Sequence, residues 1–366
     1  MKRGILLLLL LFVFIGCVVY ATDNKIDTTY ISEEFSFNTK ENLVLSGILT
    51  IPSRFDNNNN NKLVILVTAP KPRDRDYGGM YSNLASYLSQ RGIATFRYDN
   101  RAYVKKIGED DGDLTMYDAS ADAHDAFVAL KKDNRFSNTS IGMLGHSEGG
   151  NAVIIEMSKN EDLSFGILLS SIAIDGASAY YSQISPLMNL QNKILVRQRN
   201  EMLSLTYNII EIVKNYSEKD SIEHHIMTRI KTIHNDSSTY YALFRNDPIE
   251  KVVDKEMKRW LRPHEASFIR HNPELYYDKI SKPILAFYAM FDGAIDWKSN
   301  SEELQKIFIR NKKNNYEIVI VPNADHNFNH AEGWIPMGIS IQRKGEHPPF
   351  ATDVWKKISD WIKEQK

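Results

Sequence analysis

Leu63-Val64-Ile65-Leu66-Val67 is an unbroken apolar run, the pattern of a strand buried on both faces, which a chain can hide only in a sheet covered by helices on either side. The same unit then recurs. A helical pattern over Met80–Gln90 stops at Arg91-Gly92, Ile93–Tyr98 reads as a strand, Ala119–Lys132 as a helix and Ser140–Leu144 as a strand. Ala152–Ser158 reads as a further helix and Phe165–Leu169 as a further strand. Strands alternating with helices predict βαβ units and an open, mostly parallel sheet, so the fold class is α/β. Upstream, residues 22–42 are polar and variable, Leu43–Ile51 reads as a strand ended by Pro52, and Asn57–Asn61 as a solvated loop.

From about Ala177 to Tyr276 the pattern changes to Met-, Asn- and Tyr-rich helical stretches such as Leu203–Val213 and Ile222–Ile233, with no strand among them. This predicts a helical lid inserted over residues 176–275. Alternation resumes with the strand Pro283–Tyr288, a helix over Ser301–Ile309, the strand Tyr316–Val321 and an amphipathic helix over Val354–Ile362. The core is then 22–175 together with 276–366. Taking a 21-residue leader and the 100-residue insert from 366 residues leaves 245, an ordinary size for one α/β domain.

The leader is residues 1–21. Met1-Lys2-Arg3 is a basic start and Ile5–Ile15 an apolar segment, the pattern of a secretory signal, with Val19-Tyr20-Ala21 fitting the small-residue cleavage rule. Export is expected, periplasmic or secreted. Phe14-Ile15-Gly16-Cys17 offers a lipobox-like alternative, in which a lipidated Cys17 tethers the body to a membrane; an uncleaved anchor over Gly4–Ala21 is the third possibility. Cys17 is the single cysteine, so the folded body has neither a disulfide nor a thiol nucleophile. Lys+Arg 45 against Asp+Glu 46 gives a net charge of −1, which excludes bulk electrostatic attraction to nucleic acid.

Gly145-His146-Ser147-Glu148-Gly149-Gly150 fits G-x-S-x-G and lies between a predicted strand and a predicted helix. That context predicts a nucleophile elbow: Ser147 on a strained turn at the carboxyl end of the sheet, and the N–H of Glu148 at a helix N-terminus, placed to accept a developing oxyanion. A serine hydroxyl needs a base and a carboxylate to orient it, following in the order Ser, Asp, His. Phe291-Asp292-Gly293-Ala294-Ile295-Asp296-Trp297 follows one strand and Asp325-His326-Asn327 another. Both loops fall on the edge of the sheet where Ser147 is expected. His326 is the candidate base and His330 a lesser one; His146 reads as a packing neighbour, His124 as a helix-face residue and His224-His225 as an exposed lid pair. Spacing leaves both Asp292 and Asp296 open as the acid.

The segment from Val64 to about Ser171 resembles α/β-hydrolases of the serine esterase and serine aminopeptidase-like group, which carry G-S-G-P-Q-D-R-D, R-Y-D-D-R-G and G-H-S-E-G-G. The matching stretches are Ala69-Pro70-Lys71-Pro72-Arg73-Asp74-Arg75-Asp76, Arg97-Tyr98-Asp99-Asn100-Arg101-Ala102 and Gly145–Gly150. The likeness resumes at Pro283–Asp296 and at Asp325-His326-Asn327. It implies an α/β-hydrolase fold, and its G-x-x-D matched to Gly293–Asp296 assigns Asp296 as the acid, with Asp292 in reserve. The resemblance places the second oxyanion donor at Pro70, which has no N–H, so the role passes to Lys71 or is lost, at a cost on the order of 10²–10³ in turnover. Asp74, Arg75, Asp99 and Arg101 read as a structural ion-pair network.

The expectation is therefore a serine hydrolase acting on a small-molecule ester through an acyl-enzyme, with no cofactor and no metal. Two alternatives stand beside it: an aminopeptidase-type serine peptidase, whose acidic pocket the lid could supply through Glu201, Glu211 or Glu223, and an exported non-catalytic binding protein whose oxyanion turn the prolines disable. Tyr180, Tyr181, Met188, Met202, Tyr207, Tyr240 and Tyr241 of the lid are open to core packing or to a substrate pocket. The sequence leaves the oligomeric state open.

Overall fold

Segment 22–42, read as polar and variable, holds a strand. In the computed structural model, which describes residues 30–56, 58, 60–106, 114–189, 195–334 and 349–365, β1 (Tyr30–Asn38) runs antiparallel to β2 (Val44–Pro52). Only Phe35 and Phe37 of β1 turn inward, onto Phe96 and Tyr98 at 5.3 and 5.4 Å between ring centroids. An edge strand with a wet face shows too few apolar residues to be read as a strand. The leader and Cys17 lie outside the described residues.

The repeating unit follows as β3 (Lys62–Val67), α1 (Met80–Ser89), β4 (Ile93–Tyr98), the short α2 (Arg101–Val104), α3 (Met116–Lys132), β5 (Ser140–His146), α4 (Glu148–Met157) and β6 (Gly166–Leu169). Every residue of β3 is buried, as the unbroken apolar run requires. After β6 come the helices α5 (Gly176–Asn189), α6 (Val196–Asn215), α7 (Lys219–His234), α8 (Ser237–Phe244), α9 (Ile249–Trp260), α10 (Pro263–Ile269) and α11 (Glu274–Tyr277). The chain then returns through β7 (Ile284–Ala289), α12 (Trp297–Arg310), β8 (Tyr316–Val321) and α13 (Thr352–Glu364).

The eight strands lie in the order β1-β2-β4-β3-β5-β6-β7-β8. β2 pairs antiparallel with β4, and every pair from β4 onward is parallel. The order reverses at β3, from which β4 lies to one side and β5 to the other. At such a switch point the loops leaving the strand carboxyl ends part and open a crevice. One apolar layer, with Leu63, Phe96 and Ile155, packs under one face of the sheet, and a second, with Tyr81, Trp355 and Trp361, under the other. Each fully buried large apolar side chain contributes roughly 1.5–3 kcal/mol.

Helices α5 to α10 build a core of their own. Leu205, Ile209 and Val213 of α6 share a stripe at four-residue spacing, as do Ile222, Ile226 and Ile230 of α7 with Ile233 three residues further on, and both stripes join the cluster that holds Val253 and Trp260 of α9. The insert is closed at its base. A Cβ on Gly176 would stand 1.6 Å from the carbonyl oxygen of Phe268, and the Gly176 N–H donates to His271 O at 2.8 Å. Tyr180 packs on Trp260 and Phe268, Tyr240 is buried, and Tyr181 packs edge-on to Tyr207. These aromatics serve the lid's own packing.

Candidate active site

β5 ends at His146 and α4 begins at Glu148, which leaves one residue to turn the chain. Ser147 makes that turn with φ 54° and ψ −129°, a conformation costly for a residue with a Cβ, and its N–H donates to Leu169 O of β6 at 2.8 Å. Strand and helix press together across it. A Cβ on Gly145 would lie 2.2 Å from Gly149 O, and one on Gly149 would lie 2.3 Å from Val67 O. These contacts are the physical reason for both glycines of G-x-S-x-G.

The carboxylate that faces His326 is not the one expected. His326 Nδ1 lies 2.8 Å from Asp292 Oδ2, while the other oxygen of Asp292 accepts from the N–H groups of Ala294 and Ile295, each at 2.8 Å. The Asp292 carbonyl accepts from Trp334 Nε1 at 3.0 Å, and the residue is 4% exposed. Asp296, assigned above by resemblance, instead precedes the first turn of α12, exposed, and accepts from Ser299 Oγ at 2.5 Å. The correction has a simple cause: Asp292 follows β7 by three residues and stays within the site, whereas by Asp296 the chain has turned outward into a helix. Asn300 of α12 holds the arrangement, donating to Asp296 O at 2.9 Å and accepting from the Ala173 N–H at 2.8 Å.

Burial works against charge on both partners, and the pair overcomes it. Burial raises the Asp292 carboxyl, but His326 and the two backbone N–H groups bring it below the ordinary value; burial lowers His326, but Asp292 brings it above the ordinary 6.5. The imidazole is thus held ready to carry a proton. His146 has the opposite fate: burial and the neighbouring His326 push it down to about 3. It is neutral, with Nε2 facing His326 O at 2.7 Å, Nδ1 facing Tyr77 Oη at 3.0 Å, and its ring 4.5 Å from that of His326. A carbonyl only accepts, so Nε2 carries the proton and Nδ1 accepts from the tyrosine. His146, expected as a packing neighbour, ties the elbow to the His326 loop.

The turn bearing the candidate donor Lys71 is pinned by Asn100. Its Nδ2 donates to Lys71 O at 2.6 Å and to Ala69 O at 2.9 Å, and its Oδ1 accepts from the N–H of Arg73 at 3.3 Å. An aspartate could not donate to those carbonyls. Arg75 pairs with Asp99 at 2.7 Å and Arg101 with Asp122 at 2.6 Å, so the expected network is two separate ones; Asp74 belongs to neither and accepts from the N–H groups of Asp76 and Tyr77. His330 is exposed, its N–H used by Pro349 O, and His124 pairs with Glu156 at 2.7 Å.

Glu148 sends its carboxylate to the lid, where His264 Nε2 of α10 lies 2.9 Å from Oε2. Of the three lid carboxylates considered from the sequence, Glu211 is taken by Tyr181 Oη at 2.8 Å, and Glu223 lines a cavity of about 500 Å³ between α7 and α9. Nothing in the lid sequence marks His264, since a histidine after a proline carries no periodic signal. Among the described residues no three histidine, cysteine or acidic side chains converge as metal ligands. A second cavity, of about 430 Å³, lies between Ser182, Ser185 and Pro186 of α5 and the Asp292–Trp297 loop, with Trp334 at its edge.

The sequence matches the model of the serine aminopeptidase S33 family over residues 72–330. The chain belongs to that family. No curated protein matches the sequence. Among solved structures it is similar to an esterase of Pyrococcus furiosus, at 16% identity and a TM-score of 0.51 over 93% of this chain and 92% of that one. It is also similar to Est1E of Butyrivibrio proteoclasticus with ferulic acid bound, at 15% identity and a TM-score of 0.52 over 90% of this chain and 98% of that one. A putative dipeptidyl aminopeptidase IV of Bacteroides ovatus is similar at 12% identity and a TM-score of 0.53, over 92% of this chain but 36% of its own length. At these identities the likeness is one of fold. This family member is a serine hydrolase of the α/β-hydrolase kind.

Proposed function

We propose that the protein is a serine esterase that cleaves a carboxylic ester through an acyl-enzyme on Ser147. The observation carrying this reading is the Asp292–His326 hydrogen bond of 2.8 Å, tied through His146 to the turn that bears Ser147. His326 Nε2 takes the Ser147 proton as Oγ attacks the ester carbonyl. The oxyanion is received by the N–H of Glu148 and, in the turn set by Asn100, by that of Lys71. His326 then returns the proton to the departing alcohol. Water, losing a proton to the same nitrogen, attacks the acyl-enzyme and releases the acid.

One observation favours an ester over a peptide amino terminus. An ammonium group needs an unshared carboxylate, and that of Glu148, next to the nucleophile, is already paired with His264. The pattern of residues 1–21 supports export, by cleavage after Ala21 or by a tether at Cys17. A fluorophosphonate probe tests the chemistry: it labels the wild type and not Ser147→Ala, and an unlabelled wild type leaves only a binding protein. Turnover of a short-chain nitrophenyl ester is expected to exceed that of an aminoacyl nitroanilide; the reverse order makes the enzyme a peptidase.

A further inference from the structure

The lid reaches the elbow helix through two histidines in different charge states. His264 Nε2 lies 2.9 and 3.2 Å from the two carboxylate oxygens of Glu148, and His271 Nε2 lies 3.1 Å from Asn151 Nδ2 on the same helix. Burial lowers His271 to about 4, leaving it a neutral acceptor for the asparagine. Burial also works to lower His264, but Glu148 and Glu265 outweigh it and lift it to about 9. Of the two histidines, then, only His264 is a cation at neutral pH, and it faces the residue that follows the nucleophile.

Glu148 carries two functions on one residue. Its N–H, at the first position of α4, is free of an intrahelical partner and is the proposed oxyanion donor. Its carboxylate, on a side chain 12% exposed, is an anion on the same residue whose N–H would meet the developing negative charge. We propose that His264 is a positioning residue for acyl transfer: a lid-borne cation that holds and neutralises the Glu148 carboxylate, so the oxyanion forms beside an ion pair and not beside a bare anion. The inference rests on the esterase reading. His264 is faced by Glu148 from α4, by Glu265 of its own helix at 3.9 Å, and by the charge of Lys71 from the turn after β3; Arg262 in turn holds Glu265 at 2.7 Å. Removing the imidazolium leaves the Glu148 carboxylate a bare anion on the residue that donates to the oxyanion, and in a site of low dielectric that repulsion falls on the transition state more than on a neutral ester.

The test compares His264→Gln, Glu148→Gln and the double variant on a nitrophenyl ester. His264→Gln is expected to lose about 10²-fold in kcat, the scale of losing one oxyanion donor, with KM changed little. The double variant, lacking the anion as well, recovers to within about tenfold of wild type. Wild-type kcat declines as pH rises through about 9, where His264 gives up its proton, and the decline is absent from the double variant. A His264→Gln enzyme with wild-type kcat, or a double variant no better than the single, overturns the inference, since a role confined to docking the lid predicts no rescue. Should His264→Gln not fold, the alkaline decline decides: lost in Glu148→Gln it supports the role, and unchanged there it overturns it. A wild type that neither labels with the fluorophosphonate nor turns over ester fails the esterase reading and this role together. A labelled, active wild type confines any failure to His264.

Discussion

Replacing Asp292 with asparagine changes one oxygen to an NH₂ and removes one charge, and the surroundings dictate which way the amide sits. The N–H groups of Ala294 and Ile295, each at 2.8 Å, demand the remaining oxygen, so the NH₂ must occupy the position 2.8 Å from His326 Nδ1. A donor there forces Nδ1 to accept and puts the ring proton on Nε2, the nitrogen that has to take the proton of Ser147. The base is in the wrong tautomer. Loss of the matching interaction in Ser-His-Asp enzymes lowers kcat about 10⁴-fold, which at ~1.4 kcal/mol per decade is about 5.5 kcal/mol of barrier. Asp296→Asn keeps its backbone bond to Asn300 and exchanges only an exposed contact with Ser299, so kcat is expected to stay within about twofold of wild type. The assay is steady-state hydrolysis of a short-chain nitrophenyl ester, with thermal unfolding to show that both variants are folded. A folded Asp296→Asn that loses more activity than Asp292→Asn refutes the reasoning and returns the acid to Asp296.

Three further outcomes are expected. His326 is held above 6.5 in the resting enzyme, and its neutral form is the base, so kcat/KM falls on acidification through a limb above pH 6.5; a limb below that value contradicts the Asp292 pairing. His264 at about 9 contributes stability that is fully present below pH 6.5 and is lost as pH rises through 9, on the order of 2–3 kcal/mol, so Tm of the wild type should converge on that of the Glu148→Gln, His264→Gln double variant at alkaline pH. Arg101→Ala strands the Asp122 carboxylate, 1% exposed and already pushed up to about 6 by burial, and is expected to lower stability by about 3–5 kcal/mol in urea unfolding; a loss under 1 kcal/mol denies the pair that role.

How much of this was legible in the sequence follows from the range of the forces involved. Apolar periodicity is local, so β3, β5, β8 and the lid helices α6 and α7 could be placed from their own residues alone, while β1, with only Phe35 and Phe37 facing inward, could not. The elbow was legible for a similar reason, because strand, turn and helix are contiguous and the close contact of Gly145 with Gly149 lies within five residues. His326 was legible as a histidine following a strand. Its carboxylate partner was not, because two aspartates four residues apart both satisfy the spacing, and only the entry into α12 turns one of them outward.

The sequence by itself determined an α/β sheet, a serine on a strand-to-helix turn and a histidine at the same edge, since each is written in a short contiguous stretch. Tertiary structure alone decided that Asp292 and not Asp296 faces His326, that Asn100 shapes the turn of Lys71, and that His264 of the lid neutralises Glu148. Those are pairings across 34, 29 and 116 positions of the chain. Hydrogen bonds and buried charges are selected by distance in space, and no local pattern of residues records which partner folding will bring within 3 Å.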